Sequence, residues 1–521
     1  MIVSSNSKVK KEVNEIKTGA IISYCATFFN VLLGLIYTPW MIKQIGQSDY
    51  GLYSLSVSII GMFAVDFGLG ASVSRFISKY RATGEEKKIN EFLGVTYKLY
   101  FIIDIVIFIM LFIIFFLLDN IYVNLTDFEI EKLRVIYCIS GLFTLISFPC
   151  MPLNGILVSG EKFIFQKSVE LTQKIIVVAL MIITLSCGYG LYSLVLVNAG
   201  VGIILIIAKM LYIKKNMNYR VNLKVKNPKL VKEIFSFSIW TTAILISQRL
   251  ILNITPSILG IAAGTEEIAI FSVGMTIEGY TYTFSNVISG MFLPKVSQLI
   301  YGEGKKNKTE IESLMIRVGR LQLIIVNFII IGFFIFGKAF IYLWMGEEFK
   351  NSYFVALLLI LPCIIIFTQN IASTVLIVEN KIKYQAKSEA ITALISIVTS
   401  LTLSNQFGAI GAAVGIFIGN VVGRVFVINI IYLTKIDINI YKFFKECHID
   451  SIKCFSGLMI AGVCINSLNQ IETWFDFIFN GILFSIVYIA LVWNLYMNKS
   501  EKNLVKNAVD NIKIRIKMGV N

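Results

Sequence analysis

Arg249 stands in the middle of SFSIWTTAILISQRLILNITPSILGIAAG, residues 236–264, a run long enough to cross a bilayer as one helix. A crossing takes about 20 apolar residues for roughly 30 Å of hydrocarbon, which places Arg249 about 15 Å deep at 1.5 Å per residue. A lone cation at that depth costs several kcal/mol, so residues of this kind usually face a bundle interior or a water-filled cavity. Its planar, permanently charged fork is suited to phosphate or carboxylate oxygens. Gln248 and Asn253 beside it add amides. The other reading of Arg249 is an internal ion pair with an acid such as Glu278.

Further ionisable residues interrupt apolar runs. Asp66 lies in VDFGLGASVSRF, whose glycines permit close helix approach. It reads either as a bond to Arg75 or a neighbouring helix, or as a coupling-ion site. Asp104 and Glu278 are further coupling or cavity acids, Glu278 with Tyr280 and Tyr282 nearby. Glu170 and Lys174 stand at i, i+4 with the acid first, the spacing of a mutually satisfied pair. Arg75, Lys98 and Lys174 are the cations toward the cytoplasmic side, where long stems can also snorkel to the interface. Pro39 and Pro256 fall inside spans, where proline removes a helix hydrogen bond and favours a hinge.

Other chemistries find no residues. Eight cysteines are scattered singly and His448 is the one histidine, so neither a disulfide framework nor a metal site is expected. GEGKKN from Gly302 lacks the GxxxxGK[ST] pattern of a phosphate-cradling loop. With neither HExxH nor GxSxG, the reading is transport without an ATP-binding motif, a cofactor or enzymatic chemistry.

The elements that must position these residues are membrane helices. The chain of 521 residues is 56% hydrophobic and only 15% charged, with mean hydropathy +0.77, whereas soluble chains carry about 25% charged residues. Apolar runs predict about fourteen transmembrane helices, centred near Leu32, Ile60, Ile107, Phe143, Val178, Leu205, Ile246, Thr281, Ile325, Leu359, Ile395, Phe417, Leu458 and Phe484. With the N-terminus inside, about 39 of the 47 Lys and Arg fall in cytoplasmic segments. Both termini are therefore expected in the cytoplasm, and the net charge of +15 reads as membrane orientation rather than nucleic-acid binding.

A basic linker, KKNMNYRVNLKVKNPKLVKE at 214–233, divides two similar halves. Pro39 pairs with Pro256, Gly46 with Gly264, Tyr53 with Phe271, Lys162 with Lys381, Glu170 with Glu389 and Gly190 with Gly408. The offset holds at about 217 to 219 residues, the constancy a duplication requires. Six spans preserve direction, so the halves should be parallel repeats with the substrate between them. The expected domains are a cytoplasmic tail at 1–19, six-helix bundles at 20–213 and 234–434, two additional helices at 435–497, and a basic amphipathic tail at 498–521.

Pro39, Gly46, YGLY from Tyr50, DFGLG from Asp66 and Arg75-Phe76, followed by FSFSIW from Phe235 and FLPKVSQL from Phe292, resemble the polysaccharide flippases of the O-antigen type. These belong to the multidrug/oligosaccharidyl-lipid/polysaccharide exporter superfamily. The resemblance covers nearly the whole chain. It implies an all-α integral membrane protein with a MATE-like fold, two six-helix bundles plus two helices, in a bacterial inner membrane. It implies transfer of an undecaprenyl-pyrophosphate-linked oligosaccharide to the outer leaflet by alternating access. Polysaccharide polymerase and glycosyltransferase partners and Na+ or H+ coupling accompany that reading. On charge and depth Arg249 is then the leading phosphate contact, with Lys174, Lys98 and Arg75 guiding the head group. The rivals are a cation-coupled multidrug antiporter of the same superfamily, expected to have an acidic cavity, and a scaffold for glycan assembly that transports nothing.

Overall fold

The computed structural model describes residue 28 and residues 31–503, apart from 64, 218, 220, 226, 290, 291, 302–306 and 469, together with residue 506. The tail expected at 1–19 and most of that expected at 498–521 lie outside the described residues. Among the described residues every regular element is helical, as backbone groups in hydrocarbon require. In order these are α1 Val31–Ile45, α2 Gln47–Phe63, α3 Leu69–Ala82, α4 Glu86–Ile121, α5 Asp127–Ser147, α6 Pro152–Ser159, α7 Phe163–Ser186 and α8 Leu191–Asn216. After the linker come α9 Pro228–Leu252, α10 Ile254–Ala262, α11 Thr265–Ser289, α12 Leu293–Tyr301, α13 Lys308–Met345, α14 Ser352–Ile360, α15 Cys363–Thr368, α16 Asn370–Val378 and α17 Ile382–Gly419. The last are α18 Ile428–Lys435, α19 Ile440–Cys447, α20 Ile452–Leu468 and α21 Trp474–Leu491.

Each of the fourteen expected centres falls in a helix. Among the described residues, ten helices are both long and apolar enough to cross a membrane. One of them, Ile382–Lys435, holds two of the expected centres; Gly408, at φ 53° and ψ −134°, reverses the chain within it. The protein is a multi-pass membrane protein. The halves also repeat backbone detail. Glu161 and Asn380 both have positive φ, at 58° and 57°, and the bonds Lys162 N–H to Leu157 O and Lys381 N–H to Leu376 O close the same turn at 3.0 and 2.7 Å. Gly46 and Gly264 likewise share positive φ, 87° and 94°.

The chain forms two compact units, residues 1–273 with 382–423, and residues 274–381 with 424–521. In the first, the two legs of α17 pack on each other through small residues. Buried Ser388, Thr392, Ser396, Ser400 and Ser404 recur every fourth residue, facing the glycines of G411-AAV-G415-IFI-G419-NVV-G423. Ser400 Oγ donates to Ala412 O at 2.9 Å and Ser388 Oγ to Gly423 O at 2.8 Å, the small-residue packing through which membrane helices approach closely. A Cβ on Gly415 would stand 2.5 Å from Ser400 N. Gly415→Ala is therefore expected to cost about 1–3 kcal/mol by overpacking, read as a lowered Tm in detergent, whereas Gly200→Ala, with nothing within 4 Å of its Cβ, leaves Tm unchanged. α9 and α10 pack along this hairpin.

Turns of the same unit are tied by carboxylates. Glu129 Oε1 accepts from Ser48 Oγ and Thr265 Oγ1, both at 2.6 Å, joining the first turns of α2 and α11. Glu267 accepts from the Ala409 N–H at 2.6 Å just after the Gly408 turn. In the second unit the core gathers around α13, α20 and α21. There Arg320, 8% exposed, donates to Glu501 Oε1 at 2.6 Å and Oε2 at 3.2 Å, to Tyr496 O at 2.6 Å and to Glu446 O at 2.9 Å. Glu501 and Asn498 bond each other reciprocally, each backbone N–H to the other's side chain at 2.9 Å, so the clamp fixes the turn where the C-terminal segment begins.

Candidate functional site

The segment expected as the second span is not a continuous helix. α2 ends at Phe63, and Phe67 and Gly68 take left-handed φ of 51° and 65° before α3 begins. A broken helix inside a membrane needs partners for the backbone groups it frees. Asp66 supplies one, its carboxylate accepting from the Gly70 N–H at 3.0 Å and from Tyr100 Oη of α4. α9 supplies the others: Thr242 Oγ1 donates to Phe67 O at 2.6 Å and Ser238 Oγ to Gly68 O at 3.2 Å, and Ser238 Oγ also lies 2.8 Å from Ser72 Oγ. The Arg249 helix is thereby fastened to the break, and its own residues two and three turns further along are presented beside it.

What this arrangement encloses is a cavity of about 770 Å3, within the range of small-molecule sites. Each wall is one stripe at helical spacing: Asp66, Gly70, Ser74 and Ser78 with Arg75; Met151 just before α6 with Asn154, Gly155 and Val158 of α6; Leu245 and Arg249 of α9. α3 and α6 meet through their glycines, since a Cβ on Gly155 would be 2.8 Å from Gly70 O. Behind the α6 wall, Lys209 of α8 donates to Asn154 Oδ1 at 2.9 Å.

The Arg249 side chain is solvent-accessible within this lining and makes no hydrogen bond or ion pair among the described residues. Arg75 is the second cation. The one carboxylate, Asp66, already accepts from Gly70 and Tyr100. The unpartnered Arg249 guanidinium beside an acid that is already hydrogen-bonded makes a cavity that favours an anion, and away from bulk water a charge-assisted bond to phosphate is stronger than a neutral one.

The remaining expected residues lie elsewhere. Gln248 and Asn253 do not line the cavity, and the Asn253 amide rests against Gly61 of α2. Lys98 donates to Val225 O at 2.8 Å, and the Asn222 N–H to Asn90 O at 3.3 Å, so Lys98 anchors the basic linker on α4. Asp104 of α4 has a buried Oδ1 without a hydrogen-bond partner among the described residues. Lys174 lines a different cavity. Glu278 belongs to the second unit, is 7% exposed, and has Arg424 as the charge acting on it. Pro256 coincides with the break between α9 and α10 at Asn253, as loss of its bond to the carbonyl four residues earlier dictates. Pro39 lies within α1, which is continuous.

Sequence reasoning passed over Arg424, which donates to Tyr282 Oη at 3.2 Å from a π-helical stretch, Asn420–Val427, of the sort that recurs at functional sites. A signal was present: one arginine amid GNVVGRVFVINI.

Ten helices long and apolar enough to cross a membrane, a helix broken at Phe67 and Gly68 and a cavity beside it that holds Arg249 define a transporter-type membrane protein. The chain belongs to the polysaccharide biosynthesis protein family, which matches residues 16–301. Among its relatives is the uncharacterized membrane protein EpsK of Bacillus subtilis, 20% identical over 508 residues, 92% of this chain and 95% of that protein. Another is the probable low-salt glycan biosynthesis flippase Agl15 of Haloferax volcanii, 20% identical over 512 residues, 93% and 97% of the two chains. In fold the chain is similar to the lipid II flippase MurJ in an inward closed conformation, with TM-score 0.69 and 15% identity over 93% of this chain and all of that one. It is also similar to an inward-facing multidrug resistance MATE family transporter, with TM-score 0.63 and 14% identity over 79% and 98% of the two chains. The MATE-like, all-helical architecture expected from the sequence is the one found.

Proposed function

We propose that this chain is a flippase, without enzymatic activity, that moves a lipid-linked oligosaccharide from the cytoplasmic to the outer leaflet for surface polysaccharide assembly. The observation that carries the reading is the Arg249 guanidinium, midway along a membrane span, unpartnered among the described residues and facing a cavity that it shares with Arg75. A lipid pyrophosphate supplies the anion this cavity lacks, while its hydrocarbon tail stays in the bilayer. Arg249 holds the pyrophosphate and Arg75 draws it in. The names of Agl15 and MurJ support the activity. The finer reading is an undecaprenyl carrier, a bacterial inner membrane with both termini cytoplasmic, a Na+ or H+ gradient as driving force, and polymerase and glycosyltransferase partners.

The test is reconstitution. Vesicles containing the protein should speed transbilayer movement of a fluorescent polyprenyl-pyrophosphoryl disaccharide by at least about tenfold over empty vesicles, with Na+ and pH gradients applied in turn. Export of a cationic dye with no movement of that lipid would overturn the reading in favour of a drug antiporter.

A further inference from the structure

The first unit contains a second cavity, of about 550 Å3, that shares no lining residue with the first. Its walls come from α1, α2, α7 and α8, all in the first half of the chain. α7 contributes a stripe from Glu170 to Met181 at helical spacing, with Tyr37, Tyr53 and Asn198 opposite. Its polar groups are poorly used. Glu170 does not pair with Lys174; it takes Lys167 Nζ at 2.8 Å and Gln166 Nε2 at 3.4 Å. Lys174 is left without a hydrogen bond or ion pair among the described residues. The Tyr37 hydroxyl is buried and has no hydrogen-bond partner among them either. Tyr53 accepts from Asn198 Nδ2 at 3.1 Å, which leaves its own O–H to donate.

An unsatisfied buried hydroxyl costs about 1–3 kcal/mol, and native interiors seldom keep one without cause. Here Tyr37, Tyr53, Gln173 and Lys174 line one space, with Val177, Val178 and Met181 as its apolar wall. Since Glu170 is neutralised by Lys167, the surplus charge is that of Lys174. Donors set around an apolar wall match a hydroxyl-rich ring, the single cation matches one carboxylate, and the volume exceeds what a small ion needs.

We propose that this cavity binds an acidic sugar of the translocated oligosaccharide, its carboxylate on Lys174 and its hydroxyls on Tyr37, Tyr53 and Gln173. The proposal rests on the flippase reading and deepens it by naming the substrate class, a glycan bearing a uronic acid.

The test uses the purified full-length protein in detergent, titrated calorimetrically with a glucuronic-acid-containing disaccharide, its neutral glucose counterpart and acetate. The acidic disaccharide should bind about tenfold or more tighter than the neutral one, with acetate weaker than both. Lys174→Gln should bring the acidic disaccharide to the neutral level, Lys174→Arg should retain most of the preference, and Tyr37→Phe should weaken both sugars severalfold. Equal binding of acidic and neutral sugars, acetate binding as tightly as the acidic sugar, or a Lys174→Gln protein that folds and keeps the preference overturns it. Lipid translocation without acidic-sugar preference defeats this proposal and leaves the flippase intact; absence of translocation defeats the flippase itself.

Discussion

Arg249→Ala is expected to abolish surface-glycan assembly in cells that depend on this protein, and to slow lipid translocation in vesicles about a hundredfold or more. The magnitude follows from truncating one partner of a desolvated charge pair, about 2–5 kcal/mol. Arg249→Lys keeps the charge but not the fork that holds two oxygens at once, so an intermediate rate is expected. The same variants separate binding from folding. Arg249 has no ion pair among the described residues, and an isolated cation at mid-span is a cost to the fold. Arg249→Ala should therefore leave Tm in detergent unchanged or raise it. Were the arginine a structural partner of an acid, its removal would strand a buried carboxylate and lower Tm together with activity. Normal glycan assembly by Arg249→Ala at normal protein levels would refute the phosphate role.

Why Arg249 could be singled out from the sequence, while much of its setting could not, has a physical reason. A bilayer imposes one length and one polarity on every crossing, so helix positions, alternation of basic loops and the depth of a lone arginine are all properties of short windows. An offset near 218 was likewise legible in the sequence, and Gly46 and Gly264, or Glu161 and Asn380, which it pairs, share a left-handed backbone. What lay beyond reach depends on rotamers and on partners far away in the chain. Glu170 and Lys174 have the spacing of a pair, yet Lys167, three residues before the acid, holds it instead. DFGLG read as a close-packing motif; that it interrupts the helix follows from Ser238 and Thr242, about 170 residues away, which accept the task of bonding its free carbonyls. Lys98 resembles a cavity cation in sequence and is an anchor for the linker in the structure.

Another partnership between residues far apart in the chain gives the largest expected effect on stability. Arg320 and Glu501 are separated by 181 residues and are almost completely buried, with side-chain exposures of 9% and 1%. Removing one member of such a pair strands the other charge, typically at about 3–5 kcal/mol, because the carboxylate has left water and lost its compensation. Arg320→Ala also deprives the carbonyls of Glu446 and Tyr496 of their donor and empties the place of a guanidinium stacked 4.1 Å from the Tyr496 ring. Tm in detergent should fall by about 4 °C, with less protein recovered from membranes. Arg320→Met combined with Glu501→Leu should regain most of that loss, since an apolar pair of similar volume avoids the desolvation cost. Neither residue lines either cavity of the first unit, so the translocation rate per folded molecule should stay near that of the parent. If the single variant loses no more than about 2 °C, or the double variant loses as much as the single, burial of the pair is not what fixes the C-terminal segment.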